Sequence, residues 1–219
     1  MQKLSSEIVK RKLVYTWYFY PIILMVSILC WIWGFNALHQ PSDYEKIVLF
    51  VGAEVKDYSF TQWIIEKHKD EGLRAFEVPS CASSRSIYAQ KLNLYLSSAD
   101  LFILPQSTLD DFTSNKDVAA SFMADYFRPI TEDVKINYAR TNCHFYTVED
   151  SKNSESLEYG VAIKDNSITR LGNYINYDVS ENYYLLIGIT SKNTGTVYGD
   201  GNENCLNALK VFRDLIFGY

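Results

Sequence analysis

Histidine and cysteine are scarce: the 219 residues contain three of the first and four of the second. No two cysteines stand in CxxC spacing, which argues against a redox dithiol or a zinc site. His39, His68 and His144 are far apart in the chain, so no histidine cluster for a metal is visible. Cys143 and His144 adjoin, but consecutive residues of an expected strand point to opposite faces and cannot act as a thiolate and imidazole pair. A glycine-rich phosphate loop and a nucleophile elbow are both missing. Asp200-Gly201-Asn202-Glu203-Asn204 sets oxygens at the first, third and fifth positions of a calcium loop, yet Cys205 replaces the required glycine and Val211 the required carboxylate. A turn and helix start account for that stretch, and the doublets Asp110-Asp111 and Glu149-Asp150 read as solvated charge. These absences leave no catalytic constellation, and the expectation is a protein without enzymatic activity, cofactor or metal.

Positive charge is concentrated at the start. Lys3, Lys10, Arg11 and Lys12 against Glu7 give residues 1–13 a charge of +3, so the total of −5 leaves −8 on residues 39 to 219. An acidic domain has no electrostatic footprint for nucleic acid or anionic lipid.

Residues 14–38, VYTWYFYPIILMVSILCWIWGFNAL, then hold no charged side chain. At about 1.5 Å per residue this run can cross a hydrocarbon core of roughly 30 Å. Trp17, Tyr18, Phe19 and Tyr20 at one end, and Trp31, Trp33 and Phe35 at the other, suit the two headgroup regions. The basic flank is retained on the cytoplasmic side, which makes residues 1–13 a cytoplasmic tail and puts the remainder outside. The run exceeds a signal-peptide core, and Asn36-Ala37-Leu38-His39 is a poor cleavage site, so an uncleaved anchor is expected. Leu29 before Cys30 and Trp31 after it do not fit a lipoprotein signal. Of Cys81, Cys143 and Cys205, outside, two can form one bridge and leave one over; the pair stays open.

After a linker at residues 39–45, residues 46–219 alternate. KIVLFVGA (46–53) reads as a strand buried on both faces, residues 57–72 as an amphipathic helix closed by Gly72, and LRAFEVP (73–79) as a second strand. Ser83 and Ser84 are placed to cap the next helix, and ADLFILP is the third strand. Short helices follow at 107–112 and 118–127, then CHFYTVED and LEYGVAIKD as a hairpin or two crossing strands. YYLLIGITS is a late strand and residues 202–219 a closing helix. The alternation predicts βαβ crossovers and an α/β, three-layer αβα lobe with a mainly parallel sheet.

KIVLFVGA with ADLFILP, Glu158-Tyr159-Gly160-Val161-Ala162, and Ser191-Lys192-Asn193 followed by Ala208, Phe212, Arg213 and Leu215 together resemble the first lobe of bacterial extracellular solute-binding proteins of sugar and oligosaccharide ABC importers. The likeness spans residues 46 to 217. It implies a periplasmic-binding-protein lobe in a bacterial cell membrane, single-pass through residues 14–38, with a carbohydrate or other solute as ligand and an ABC permease or other membrane protein as partner. Ala162 replaces the proline of the Tyr-Gly-Val/Ile-Pro segment, and two larger departures stand out: a spanning anchor where family members are released or lipid-tethered, and an interval from Pro105 to Tyr183 that leaves little room for a second lobe. The alternative reading is a protein-interaction or sensory domain that has lost its solute.

Ligands of open parallel sheets sit outside the carboxyl ends of the strands. That rule places Gly52, Glu54, Tyr58, Ser84, Arg85, Gln106 and Ser107 on one rim. Tyr58 offers an aromatic face to a sugar ring, and Arg85 a fork for carboxylate or hydroxyls. Each residue also has an ordinary reading, as solvated loop, surface ion pair or helix cap.

Overall fold

A computed structural model describes residues 16, 17, 19–131, 143–150, 155–163, 170–194 and 207–217. They fall into two units, residues 1–40 and 41–219. The first contains helix α1, Phe19–His39, whose stretch Phe19–Ala37 is long and apolar enough to cross a membrane. Its apolar side chains project on every side and none is buried in protein, from Ile32 at 45% exposed to Trp33 at 77%. A water-soluble helix would keep one polar face, so this one suits a membrane or signal anchor. It runs through His39, one residue into the expected linker.

In the second unit the helices are α2 (Ser59–His68), α3 (Tyr88–Leu96), α4 (Gln106–Thr113), α5 (Lys116–Tyr126) and α6 (Asn207–Phe217). The strands are β1 (Lys46–Val51), β2 (Glu54–Val55), β3 (Ala75–Glu77), β4 (Leu101–Pro105), β5 (Phe127–Arg128), β6 (Phe145–Asp150), β7 (Glu155–Ala162), β8 (Ile175–Asn176) and β9 (Tyr183–Gly188). The main sheet runs β3-β1-β4-β9-β7-β6, with β5 also on β9, while β2 and β8 pair separately.

Strand β1 explains why helices cover both faces. Ile47, Leu49 and Val51 point to one side, where Phe60 and Ile64 of α2 and Val211, Phe212 and Leu215 of α6 pack. Phe50 points to the other, against Tyr88 and Leu92 of α3, Leu109 of α4 and Met123 of α5. A strand buried on both sides must be apolar at successive positions, which KIVLFV and LFIL are.

The sheet is mixed and mostly antiparallel, which corrects the expectation of a mainly parallel one. Only β3 and β4 run parallel to β1. Strand β9 is antiparallel to β4, β5 and β7, and β6 is antiparallel to β7. Parallel pairing needs a crossover of a dozen or more residues, and α2 and α3 supply two. The polar SKNSES between the CHFYTVED and LEYGVAIKD segments is too short for a third, so β6 and β7 join as a hairpin.

Candidate functional site

The carboxyl ends of β1, β3 and β4 do form one rim. Val51 bridges Ser80, and Cys81 N–H donates to the Val51 carbonyl at 3.0 Å. Gly52 N–H donates to Ile103 O at 2.7 Å, and a Cβ on Gly52 would come within 2.8 Å of Pro105 Cδ and 3.0 Å of the Tyr88 hydroxyl. Gly52 therefore lets β4 and α3 close over the strand end.

The other rim residues pair among themselves or with the approach to β9. Arg85 Nη2 donates to Glu54 Oε1 at 3.2 Å, with both side chains more than half exposed. Tyr58 Oη and Ser80 Oγ are 3.1 Å apart, and the Tyr58 side chain is 49% exposed. Gln106 N–H donates to Asn182 O at 2.8 Å and its Oε1 accepts from Asn182 Nδ2 at 3.1 Å. Ser107 Oγ donates to Glu181 Oε2 at 3.1 Å. Ser84 stands apart on an exposed turn; it does not cap α3, which begins at Tyr88 with Ile87 before it and no side-chain cap. Beneath the rim Tyr88 Oη meets Thr108 Oγ1 at 3.0 Å, and burial pushes the Tyr88 phenol well above its usual range. The result is an exposed polar ledge bearing one aromatic ring. Asn182 and Glu181 complete it from far along the chain, and no local pattern near Gln106 announces them.

Two buried polar clusters lie away from the ledge. Asp100, just before β4, is 8% exposed and accepts hydrogen bonds from Val48 N–H at 2.9 Å, Ser191 Oγ at 2.6 Å and Asn193 Nδ2 at 3.2 Å. Asn193 Nδ2 also reaches the Asp43 and Lys46 carbonyls at 3.0 and 3.1 Å. Ser191-Lys192-Asn193 is thus a clamp joining the entries of β1 and β4 to the exit of β9. Burial pushes the Asp100 carboxyl upward, against the pull of its three donors.

The second cluster links α2 to α6. His68, 3% exposed, holds Asp214 Oδ2 through Nε2 at 2.8 Å and Glu71 Oε2 through Nδ1 at 2.7 Å. Lys67 Nζ reaches Asp214 at 2.8 Å and Lys210 Nζ reaches Glu71 at 2.7 Å. The hydrogen bond to Asp214, followed by that to Glu71, raises the His68 pKa against burial. Burial draws the Asp214 carboxyl upward, but hydrogen bonds from His68 and Lys67 outweigh it and hold the group below its usual range. With both ring nitrogens engaged by carboxylates, the imidazole has none left for a substrate proton. Glu66, Lys67, Lys69, Asp70 and Glu71 around His68 stay exposed, and His68 alone among them is buried, against Asp214 of α6.

Cys143 packs on the α2 and α6 side while His144 is exposed, and Cys81 is buried on the opposite face of the sheet. Cys81 and Cys143 are therefore not partners in one bridge, and Cys205 and the acidic stretch from Asp200 lie outside the described residues. No family model and no curated protein matches the chain.

Proposed function

We propose that the chain is a membrane-anchored, extracytoplasmic binding protein of the solute-binding kind, tied to carbohydrate import by an ABC permease in a bacterium. The supporting observation is the ledge: three parallel strand ends converge there, with Tyr58, Arg85, Glu54 and Ser107 exposed and Gln106 half-buried. An aromatic face beside paired donors and acceptors matches a sugar ring, with one apolar face and a polar edge. The role is recognition rather than chemistry. The uncharged run of residues 14–38, with α1 in it from Phe19, anchors the chain, and the basic segment 1–13 keeps the amino terminus in the cytoplasm.

The full chain in lipid nanodiscs, titrated calorimetrically against oligosaccharides, is expected to give saturable binding. Tyr58→Ala and Arg85→Ala should each weaken it about tenfold, the ~1.4 kcal/mol expected of a stacking or charge-assisted contact, without moving the thermal midpoint. Silence across sugars, peptides and amino acids would remove the solute-binding reading.

A second reading draws on the internal pairing of the ledge. Glu54 with Arg85, Gln106 with Asn182 and Ser107 with Glu181 satisfy one another without a ligand, as expected of a surface that docks a membrane protein after losing its solute. Crosslinking in cells separates the two: capture of a partner that is lost in the ledge variants, in a chain that binds no sugar, favours docking.

A further inference from the structure

We infer that residues 41–219 carry a second binding site, for a small organic cation bearing a primary ammonium or guanidinium group, in a cavity at the amino end of β1. The cavity measures about 410 Å³ and sits at the opposite end of the central strand from the ledge, between the end of α3 and the turn after β9. That volume lies within the usual range of small-molecule sites, roughly 300 to 1,000 Å³.

Its charge selects the ligand. Three carboxylates line it, Asp43, Glu77 and Asp100, against two ammonium groups, Lys46 and Lys192. Each lysine is already engaged: Lys46 Nζ is 2.8 Å from Glu77 Oε1, and Lys192 Nζ is 2.7 Å from Asp43 Oδ2. Asp100 is left with no cation among the described residues. Its three hydrogen bonds all come from neutral donors, a backbone N–H, a hydroxyl and an amide. Asp100 thus has three neutral donors and no counter-charge, and it lines the cavity, from which a ligand cation can approach it.

Two further features have the same sign. Helix α3 ends at Leu96, and Ser97 and Ser98 line the cavity, so the partial negative charge of the helix terminus faces it. Tyr95 supplies a ring against which a cation can lie. An anion would meet a net negative wall, and a neutral sugar would leave the Asp100 charge uncompensated. This inference stands independently of the ledge and of any solute bound there.

Agmatine is the probe, titrated into the full chain in phosphatidylcholine nanodiscs, with succinate and glucose as controls. Saturable agmatine binding is expected, weakened by added salt, with neither control competing. Two exposed residues give opposite effects without touching the core. Lys192→Gln frees the Asp43 carboxylate and should tighten agmatine binding several-fold, while Asp43→Asn should loosen it by a similar factor; unchanged thermal midpoints confirm that both variants fold. Absence of saturable agmatine binding in the wild type and in Lys192→Gln overturns the site. So does competition by glucose or succinate, or identical affinity in the wild type and both variants.

Discussion

Single residues settle how closely the elements of the sheet approach. Gly188 ends β9, where a Cβ would collide with the Ala99 carbonyl oxygen and come within 3.0 Å of the Phe102 ring. Backbone cannot give way there, because Gly188 N–H donates to Asp100 O at 2.8 Å and Asp100 N–H donates to Val48 O at 2.9 Å. Gly188→Ala is therefore expected to destabilise the domain by about 1–3 kcal/mol, the range for forcing atoms into a filled core. Urea denaturation checks it, and an unchanged midpoint would mean that β9 can shift away from Asp100. At Gly52 the neighbours are mixed: Pro105 Cδ and the Tyr88 hydroxyl are side-chain atoms, while the Ile103 carbonyl oxygen, at 3.1 Å, is backbone. Asp100 belongs to the same neighbourhood, and it shows why a charged residue can precede four fully buried ones: its oxygens answer three donors from two separate segments, β1 and the turn at Ser191 to Asn193.

At the scale of elements, the joint between α2 and α6 is electrostatic at its centre and apolar around it. Phe60 and Ile64 face Val211, Phe212 and Leu215, while His68, Glu71, Asp214, Lys67 and Lys210 form a charged row beside them. The pH dependence follows from the direction of each shift. His68 has its folded pKa raised from 6.5, so its contribution is complete below about pH 6.5 and is lost as pH rises through the folded value. Asp214 has its folded pKa lowered from 3.8, so its contribution is present above about pH 3.8 and is lost as pH falls through the folded value. The joint is thus strongest from about pH 4 to 6.5. Thermal melts should show the midpoint falling from pH 6 toward pH 9, and Asp214→Asn should flatten that fall. The same variant should cost about 3 kcal/mol at pH 6, since it leaves the buried His68 against a neutral amide; a midpoint insensitive to pH in the wild type would contradict the paired imidazolium. The elements of this joint are legible in the sequence, as the spacing of Phe60 and Ile64 and of Leu209, Phe212 and Ile216 shows, because each helix has to bury one face wherever it packs. Likewise KIVLFV and LFIL disclose their strands, whereas CHFYTVED and LEYGVAIKD read equally as a hairpin or as crossing strands, and the antiparallel pairing of β6 with β7 decides between them. What local pattern does not carry is pairing across distance. His68 and Asp214 are 146 residues apart, and the antiparallel pairing of β9 with β4 and β7 turns the expected parallel sheet into a mixed one. The ledge was legible as a place, through the rule about strand ends, but its internal pairing with Glu181 and Asn182 was not.

At the scale of the whole molecule, the two units have opposite solvent requirements. Helix α1 is apolar on every side, while the described part of residues 41–219 buries its apolar side chains in two large clusters. The full chain should remain in the membrane pellet after alkaline carbonate, and residues 41–219 expressed alone should stay in the supernatant with a cooperative thermal transition. Release of the full chain would mean that α1 is not a spanning anchor. Orientation tests the charge argument more sharply. Residues 1–13 carry +3, whereas residues 39–45 carry Asp43 and Glu45 and no lysine or arginine. Positive flanking residues are retained on the cytoplasmic side, and acidic ones contribute little, so the proposed topology rests on the amino-terminal lysines and arginine alone. A phosphatase domain fused after Tyr219 should be active in the wild type, because it folds only outside. Lys10→Glu, Arg11→Glu and Lys12→Glu together take residues 1–13 from +3 to −3 and leave Lys3 as the sole basic residue on that flank. Phosphatase activity per molecule should then fall several-fold while the amount of membrane-bound protein stays level. Equal activity in the two chains would show that something other than the basic flank orients α1, and high activity only in the variant would place the acidic domain in the cytoplasm.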